Sequence, residues 1–309
     1  MAQLTVNEVL AKVEGRQSLR RAELSHINLC GARLEDSNFS QAYLRRANLS
    51  GASCGGADFS RATLVLATLS GASLEGARLE AAELTRARLN RGILRELYAP
   101  KANFYSADLD ESDLSFATLT QANLTEATGR GAHFKNADLT RAKLNASNFS
   151  EASFGGAKLA RSLWHGAILR GTSFYLADLE AADLAGADLT GANLTQADGL
   201  NANFSAACLD GGLLLQTEAD WSNFYQASLI NADLSHASLY GARLEAATLA
   251  GATLVGANLQ QANLETADLT GTNLAGAQVS GALFTDAKGL TPEQAHWLRD
   301  QGALNVPCV

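Results

Sequence analysis

Four cysteines and five histidines are the residues of this chain best suited to chemistry, and their placement argues against a reactive site. Cys30, Cys54, Cys208 and Cys308 lie far apart, with no Cys-x-x-Cys pair and no histidine at zinc-ligand spacing. They read as reduced thiols. His26, His133, His165, His236 and His296 are scattered singly, and none stands in a Ser, Asp or Cys context that resembles a nucleophilic site. No Gly-x-x-x-x-Gly-Lys and no Gly-x-Gly-x-x-Gly after a strand offers a phosphate cradle. The sequence therefore predicts no catalytic residue, no metal site, no cofactor and no enzymatic activity.

The elements that would have to position any site are announced by composition and then by a repeat. Of 309 residues, 47% are hydrophobic, 6% aromatic and 18% charged. That is too apolar for a disordered chain. No window approaches the roughly 18 to 20 consecutive apolar residues of a membrane-spanning helix, so no membrane insertion is expected. The segment from Met1 to Gln17 lacks a basic stretch, an apolar run and a small-residue cleavage site, which predicts a cytoplasmic location.

A five-residue period runs through most of the chain without an insertion. Counting in steps of five from Leu24 to Phe284 gives 53 positions, of which 46 are Leu or Phe. The exceptions are Cys54, Ala99, Gly129, Trp164, Gly199, Ala219 and Val279. Two residues before each centre the residue is Ala in 41 of the 53 cases, and only Ile27 and Leu97 are large. A period of five fits neither a helix nor a strand. It fits a chain that turns a corner every five residues, with the centre and the residue two before it pointing inward. Four sides make a 20-residue coil, and coils stacked at the roughly 4.8 Å inter-strand spacing predict about 13 coils and a rod about 60 Å long.

The unit, Ala-(Asp/Asn)-(Leu/Phe)-x-x, covers most of the chain and resembles the pentapeptide repeat family. The resemblance implies an all-β fold, a right-handed quadrilateral parallel β-helix, with short capping helices at both ends. The expected organisation is an N-terminal cap over residues 1–20, the β-helix over 21–288, and a capping helix and tail over 289–309. Thr5 or Asn7 is expected to cap a helix over Glu8–Glu14. Thr291, Pro292 and Gln294 read as N-cap, first helical residue and capping-box partner. A second reading of that C-terminal helix is a homodimer contact through Trp297 and Leu298.

Departures from the repeat predict local disturbances. Phe149, one coil after Gly129, is expected to fill the space that Gly129 leaves. Gly199 and Ala219, also one coil apart, predict a kink or a slipped Leu around Leu213–Leu215. Leu97 in a small-residue position, followed by Pro100, predicts a bulged side. Outward apolar residues concentrate at Tyr175, Leu176, Leu213, Leu215, Trp221, Tyr225 and Ile230, with Tyr175, Leu215 and Val255 in one column. They suggest a partner site, set against a reading in which the disturbed coils fold them inward. Through residue 170 there are 21 Lys or Arg and 17 Asp or Glu; from 171 onward there are 3 and 15. Arg21, Arg61, Lys101, Arg141 and Arg161 share one column, beside Arg46 and Arg86. They predict a basic stripe able to steer an acidic partner, or a merely solvated face. Nucleic acid is not expected, because acids are nearly as numerous there and aromatics are not interleaved.

A rigid protein–protein interaction scaffold or adaptor follows. The family resemblance implies settings such as cyanobacterial regulation or a photosynthetic antenna complex, the phycobilisome. The alternative is a DNA mimic that inhibits or protects DNA gyrase, as quinolone-resistance relatives of the family do. The partner's identity is left open.

Overall fold

The computed structural model describes residues 4–308. One side, Ala22-Glu23-Leu24-Ser25-His26, shows how a five-residue unit closes its hydrogen bonds while turning. Glu23 pairs in parallel with Tyr43, its equivalent in the next coil, and Tyr43 with Thr63. Tyr43 N–H donates to the Ala22 carbonyl at 2.9 Å, and Leu24 N–H to the Tyr43 carbonyl at 2.8 Å. At the corner, Ile27 N–H donates to the Leu24 carbonyl at 3.2 Å, closing a β-turn whose third residue, His26, has φ of 63°. Every fifth residue from Arg16 to Asp286 has this left-handed φ, which a type II turn demands. Four turns separate paired residues, so each coil has four sides of one repeat unit each.

One backbone donor per unit has no place in this scheme: the N–H just after the central Leu or Phe. The residue just before the centre supplies the acceptor. Ser40 N–H donates to Asn38 Oδ1 and Leu200 N–H to Asp198 Oδ1, both at 3.0 Å. This Asx turn explains why Asp or Asn recurs at that position. Where the position holds Thr128, Ser228 or Ser238 instead, an aspartate one coil earlier takes over. Asp110, Asp210 and Asp220 accept from the N–H groups of Arg130, Ile230 and Tyr240 at 2.9, 3.0 and 3.1 Å. Asparagines also join coil to coil: Asn203 Nδ2 donates to Asp183 Oδ1 at 2.9 Å, and Asn223 Nδ2 to Asn203 Oδ1 at 3.0 Å.

Inside, the Leu and Phe centres are buried, and nearly all the alanines before them. Rings stack from one coil to the next, Phe39 on Phe59 at 4.9 Å and Phe204 on Phe224 at 4.8 Å, which is the spacing of the β-ladder. Buried hydroxyls at the small position find carbonyls, as Ser112 does with Leu109 and Ser222 with Ala219. Trp164 fits as a centre because its Nε1 donates to Ser162 Oγ at 2.7 Å. Burial pushes the Cys54 thiol up to about 12, so it is a small core residue rather than a nucleophile.

Within each part of the coil the register holds, which corrects two expectations. No kink forms at Gly199 and Ala219: Asp198, Glu218 and Ser238 pair in sequence, and Phe204 stands within 3.8 Å of where a Gly199 side chain would begin. Leu214 alone of its trio points inward; Leu213 is exposed and Leu215 half-buried. Nor does a side bulge at Leu97–Pro100. Leu97 and Ala99 are both fully buried, large and small having changed places with the core volume kept. Pro100 occupies the position whose N–H the ladder does not use, where a type II turn favours proline. The expectation at Gly129 agrees with the structure, since Phe149 atoms lie 2.2 Å from where a Cβ on Gly129 would sit.

The chain forms two compact units, Met1–Lys158 and Leu159–Val309. The first opens with α1, Val6–Glu14, capped by Thr5 in a capping box with Glu8 and burying Val9. The Thr5 N–H bond holds the Glu8 carboxyl below its ordinary range. The second unit closes with α2, Pro292–Asp300, capped by Thr291 and Gln294. Gln294 Nε2 also donates to the Thr272 carbonyl at 2.8 Å. Beyond α2 the chain returns, and Leu304 pairs in parallel with Leu283. Leu298 is fully buried within its own unit, so it cannot serve the dimer contact considered for this helix. Trp297 is half-buried.

Candidate docking face

The outward residues singled out by sequence do not form one patch. Register and turn positions spread them around the coil of the second unit. Tyr175, Leu176 and Leu215 share one corner, with Leu213 on the side just before it. Trp221 stands at the next corner, Tyr225 at the third and Ile230 at the fourth. Leu176 is 52% exposed and Trp221 56%, the two highest values among the large apolar residues described. Leu213, Tyr175 and Tyr225 are exposed to a lesser degree. Exposed apolar residues also occur elsewhere, at Tyr43, Ile93, Tyr98 and Phe116 in the first unit and Leu163 and Ile168 in the second, so they are less concentrated than expected.

What distinguishes one side is the company that Leu176 and Trp221 keep. They stand at the two edges of the side whose middle column runs Asp178, Asp198, Glu218 and Ser238. Asp178 and Asp198 each direct one oxygen to a turn N–H, of Glu180 and Leu200. Glu218 is exposed, and among the described residues no hydrogen bond or ion pair engages its carboxylate. The Trp221 edge is a fixed shelf. Its ring lies across Gly241, where a Cβ would come within 2.5 Å of ring atoms, and meets Tyr240 edge-on at 5.3 Å. Asp220 holds Tyr240 from below through the Tyr240 N–H and also accepts from the Ser238 hydroxyl. Both corner residues have left-handed φ, 56° at Leu176 and 58° at Trp221. Glycine takes the same positions in later coils, at Gly256 and Gly241. A bulky residue there costs about 1–2 kcal/mol relative to its preferred backbone.

Two shallow concavities lie on this side, both touching Glu218. One, about 570 Å³, is lined by Leu176, Gln196, Gln216, Glu218 and His236. The other, about 370 Å³, is lined by Asp198, Leu200, Glu218, Asp220 and Ser238. Leu200, Tyr240 and the carboxylate column were missed in the sequence. Writing the chain in rows of one coil each would have brought them together.

The cationic column divides between the units. Arg21, Arg61, Lys101 and Arg141 occupy one corner position of the first unit, all exposed. Among the described residues no ion pair engages them. Arg21 Nε donates to Gln41 at 2.7 Å. Arg161 holds the same register position in the second unit, followed there by Ala181, Asn201 and Trp221. No group of three or more potential metal ligands occurs among the described residues, and none of their helices is long and apolar enough to cross a membrane.

Several solved structures are similar to this chain. HetL, a pentapeptide repeat protein involved in heterocyst differentiation regulation in the cyanobacterium Nostoc sp., is 29% identical; the match covers 91% of this chain and 98% of HetL, with a TM-score of 0.23. A pentapeptide repeat protein of the Arabidopsis thaliana thylakoid lumen is 28% identical over 38% of this chain and 80% of its own, with a TM-score of 0.29. The full-length plasmid-mediated fluoroquinolone resistance protein QnrB1 is 17% identical over 74% of this chain and 96% of its own, with a TM-score of 0.34. No curated protein sequence matches. The family model for pentapeptide repeats matches eight times, at residues 31–64, 42–80, 62–96, 107–145, 147–184, 177–214, 220–254 and 247–286. A right-handed β-helix is the fold of that family, and this chain belongs to the pentapeptide repeat proteins.

Proposed function

We propose that this protein is a non-enzymatic, cytoplasmic scaffold whose four-sided coils dock another protein. The observation that carries the reading is the side bounded by Leu176 and Trp221, two strongly exposed apolar anchors across a single face. Aromatic and aliphatic anchors dominate protein interfaces, and a coil side without insertions supplies a flat, rigid platform. A cyanobacterial regulatory or antenna setting belongs to this proposal. The test is a cross-linking pull-down with wild type beside a Leu176→Glu/Trp221→Ala variant, bound proteins being identified by mass spectrometry. Partners lost with the variant support docking on this side; partners retained equally overturn it.

Gyrase protection is the competing reading, and charge weighs against it. The first unit carries 19 Lys or Arg against 17 Asp or Glu, the second 5 against 15, whereas DNA mimicry calls for acidic surface throughout. The expected result with purified gyrase is no inhibition or protection of supercoiling at micromolar protein.

A further inference from the structure

The docking side of the second unit has a chemistry that narrows its partner. Across residues 175–181, 195–201, 215–221, 235–241 and 255–261, which form this side and its two corners in successive coils, there are five acids and no Lys or Arg. The acids are Asp178, Glu180, Asp198, Glu218 and Asp220. Three of them stack in the middle column one coil apart, with Leu176 and half-buried Leu215 on one edge and Trp221 and half-buried Tyr240 on the other. Like charges placed opposite one another in a ladder repel, and no Lys or Arg on this side offsets them.

Resting on the docking reading above, we infer that this side receives a basic amphipathic helix of a partner protein, with Lys or Arg against the carboxylate column and apolar residues against the Leu176 and Trp221 edges. The spacing selects a helix. Coils repeat every 4.8 Å, as the Phe204–Phe224 stack shows. The outer two carboxylates of the column are therefore about 9.6 Å apart along it, twice the ladder spacing. A helix laid along the column presents residues i, i+3 and i+7 at about 0, 4.5 and 10.5 Å. An extended segment presents same-face residues about 6.6 Å apart, which passes out of step with the carboxylates by the second cation. Trp221, with its ring fixed over Gly241, also offers an aromatic face on which a guanidinium or ammonium gains a cation–π contact. Flanking Leu, Ile or Phe residues of the helix then cover Leu176 and Leu215. Burial of the edges supplies affinity, and the carboxylates set orientation and approach rate.

The test uses the full chain and synthetic labelled peptides read by fluorescence polarisation. The probe is a 16-residue helical peptide with Lys at i, i+3 and i+7 and Leu at flanking positions. It is compared with a peptide of the same composition whose lysines are spread around the helix, and with an extended Lys-x-Lys-x-Lys peptide. The protein variants are Asp198→Asn/Glu218→Gln, Trp221→Ala and, as a control elsewhere on the second unit, Glu265→Gln/Asp286→Asn. The Asp198→Asn change keeps an acceptor for the Leu200 N–H, so the double variant removes charge without removing the turn bond. The expected result is binding of the patterned peptide that weakens at least about tenfold with Asp198→Asn/Glu218→Gln and with Trp221→Ala. It should also weaken steeply between low and high salt, and the control variant should bind as wild type. Equal binding of the spread-lysine or extended peptide, no effect of the double variant, or no binding at millimolar peptide would each overturn the inference. Its failure is separable from that of the docking reading: partners lost with Leu176→Glu/Trp221→Ala but kept by Asp198→Asn/Glu218→Gln leave a docking side without a basic helix.

Discussion

Single residues in this repeat answer to two demands, filling the axis and satisfying the turn N–H, and each demand makes a measurable prediction. At the axis, Phe149 fills its own place and that of Gly129, packing edge-on against Phe134 and Phe154 at 5.5 and 5.7 Å. Phe149→Ala therefore empties two neighbouring positions and should cost the upper part of the usual range, about 4–5 kcal/mol. Gly129→Ala forces the ring aside and should cost about 1–3 kcal/mol. Chemical denaturation measures both, and a Phe149→Ala cost below about 2 kcal/mol would show that the coils collapse to fill the space. At the turns, Asp268 is held below the ordinary aspartate range by the Thr270 hydroxyl and backbone N–H. Burial pushes Asp188 up, yet the bonds from Thr190 and Arg170 outweigh it, so its carboxyl also lies low. A depressed folded value means stability that is fully present above the unfolded pKa of about 3.9 and lost as pH falls through the folded values. The wild type should thus lose stability on acidification below about pH 4, and Asp188→Asn/Asp268→Asn should lose less over that window. Identical pH slopes for the two proteins would remove these aspartates from the account.

At the scale of the coil side, the same hydrogen-bond ledger says where proline is welcome. Ser70 follows a centre whose preceding residue is Thr68, so no Asx acceptor serves its N–H, and among the described residues no other acceptor engages it. Ser70→Pro keeps every backbone bond but loses the Ser70 hydroxyl's bond to Asn90 Oδ1 at 2.7 Å, so the gain from proline and that loss offset and the variant should stay within about 1 kcal/mol of wild type. Thr68 N–H donates to the Ala47 carbonyl at 2.9 Å, so Thr68→Pro breaks the ladder and should cost about 3 kcal/mol or more. Thermal melts of the two variants check the contrast, and equal losses would count against it. This ledger also shows why some features were legible in the sequence and others were not. The period of Leu24 to Phe284 declared the coil, and the Thr291 and Gln294 cap declared α2, because both are local patterns. The expected bulge at Leu97 failed because the exchange with Ala99 conserves volume, a property of the pair rather than of either residue. The expected kink at Gly199 failed because Phe204, around the corner, closes on the space. For the docking side, Leu176 and Trp221 were visible as outward apolar residues. Their separation by a carboxylate column is legible only in rows of one coil each, since Asp178, Asp198 and Glu218 lie 20 residues apart in the chain.

Over the whole chain, the consequence of a coil-long register is that stability is exchanged only between neighbours. Each side bonds to the coil before and the coil after, as Leu234 shows: it is fully buried, its N–H donates to the Thr253 carbonyl at 2.8 Å, and the adjacent Asp233 pairs with Leu213 and Thr253. Solenoids of this kind behave as nearest-neighbour systems, with stability summed over repeats and their interfaces. Leu234→Ala should remove about 2–5 kcal/mol, and the loss should be confined in space. Native-state hydrogen exchange should show protection falling most at amides such as Leu214 and Leu254, one coil to either side. Protection at Leu64 or Leu84, within the separate compact unit Met1–Lys158, should stay near its wild-type value. A uniform fall across both units would mean that the chain opens only as a whole, and the coil would then not be the unit of its stability.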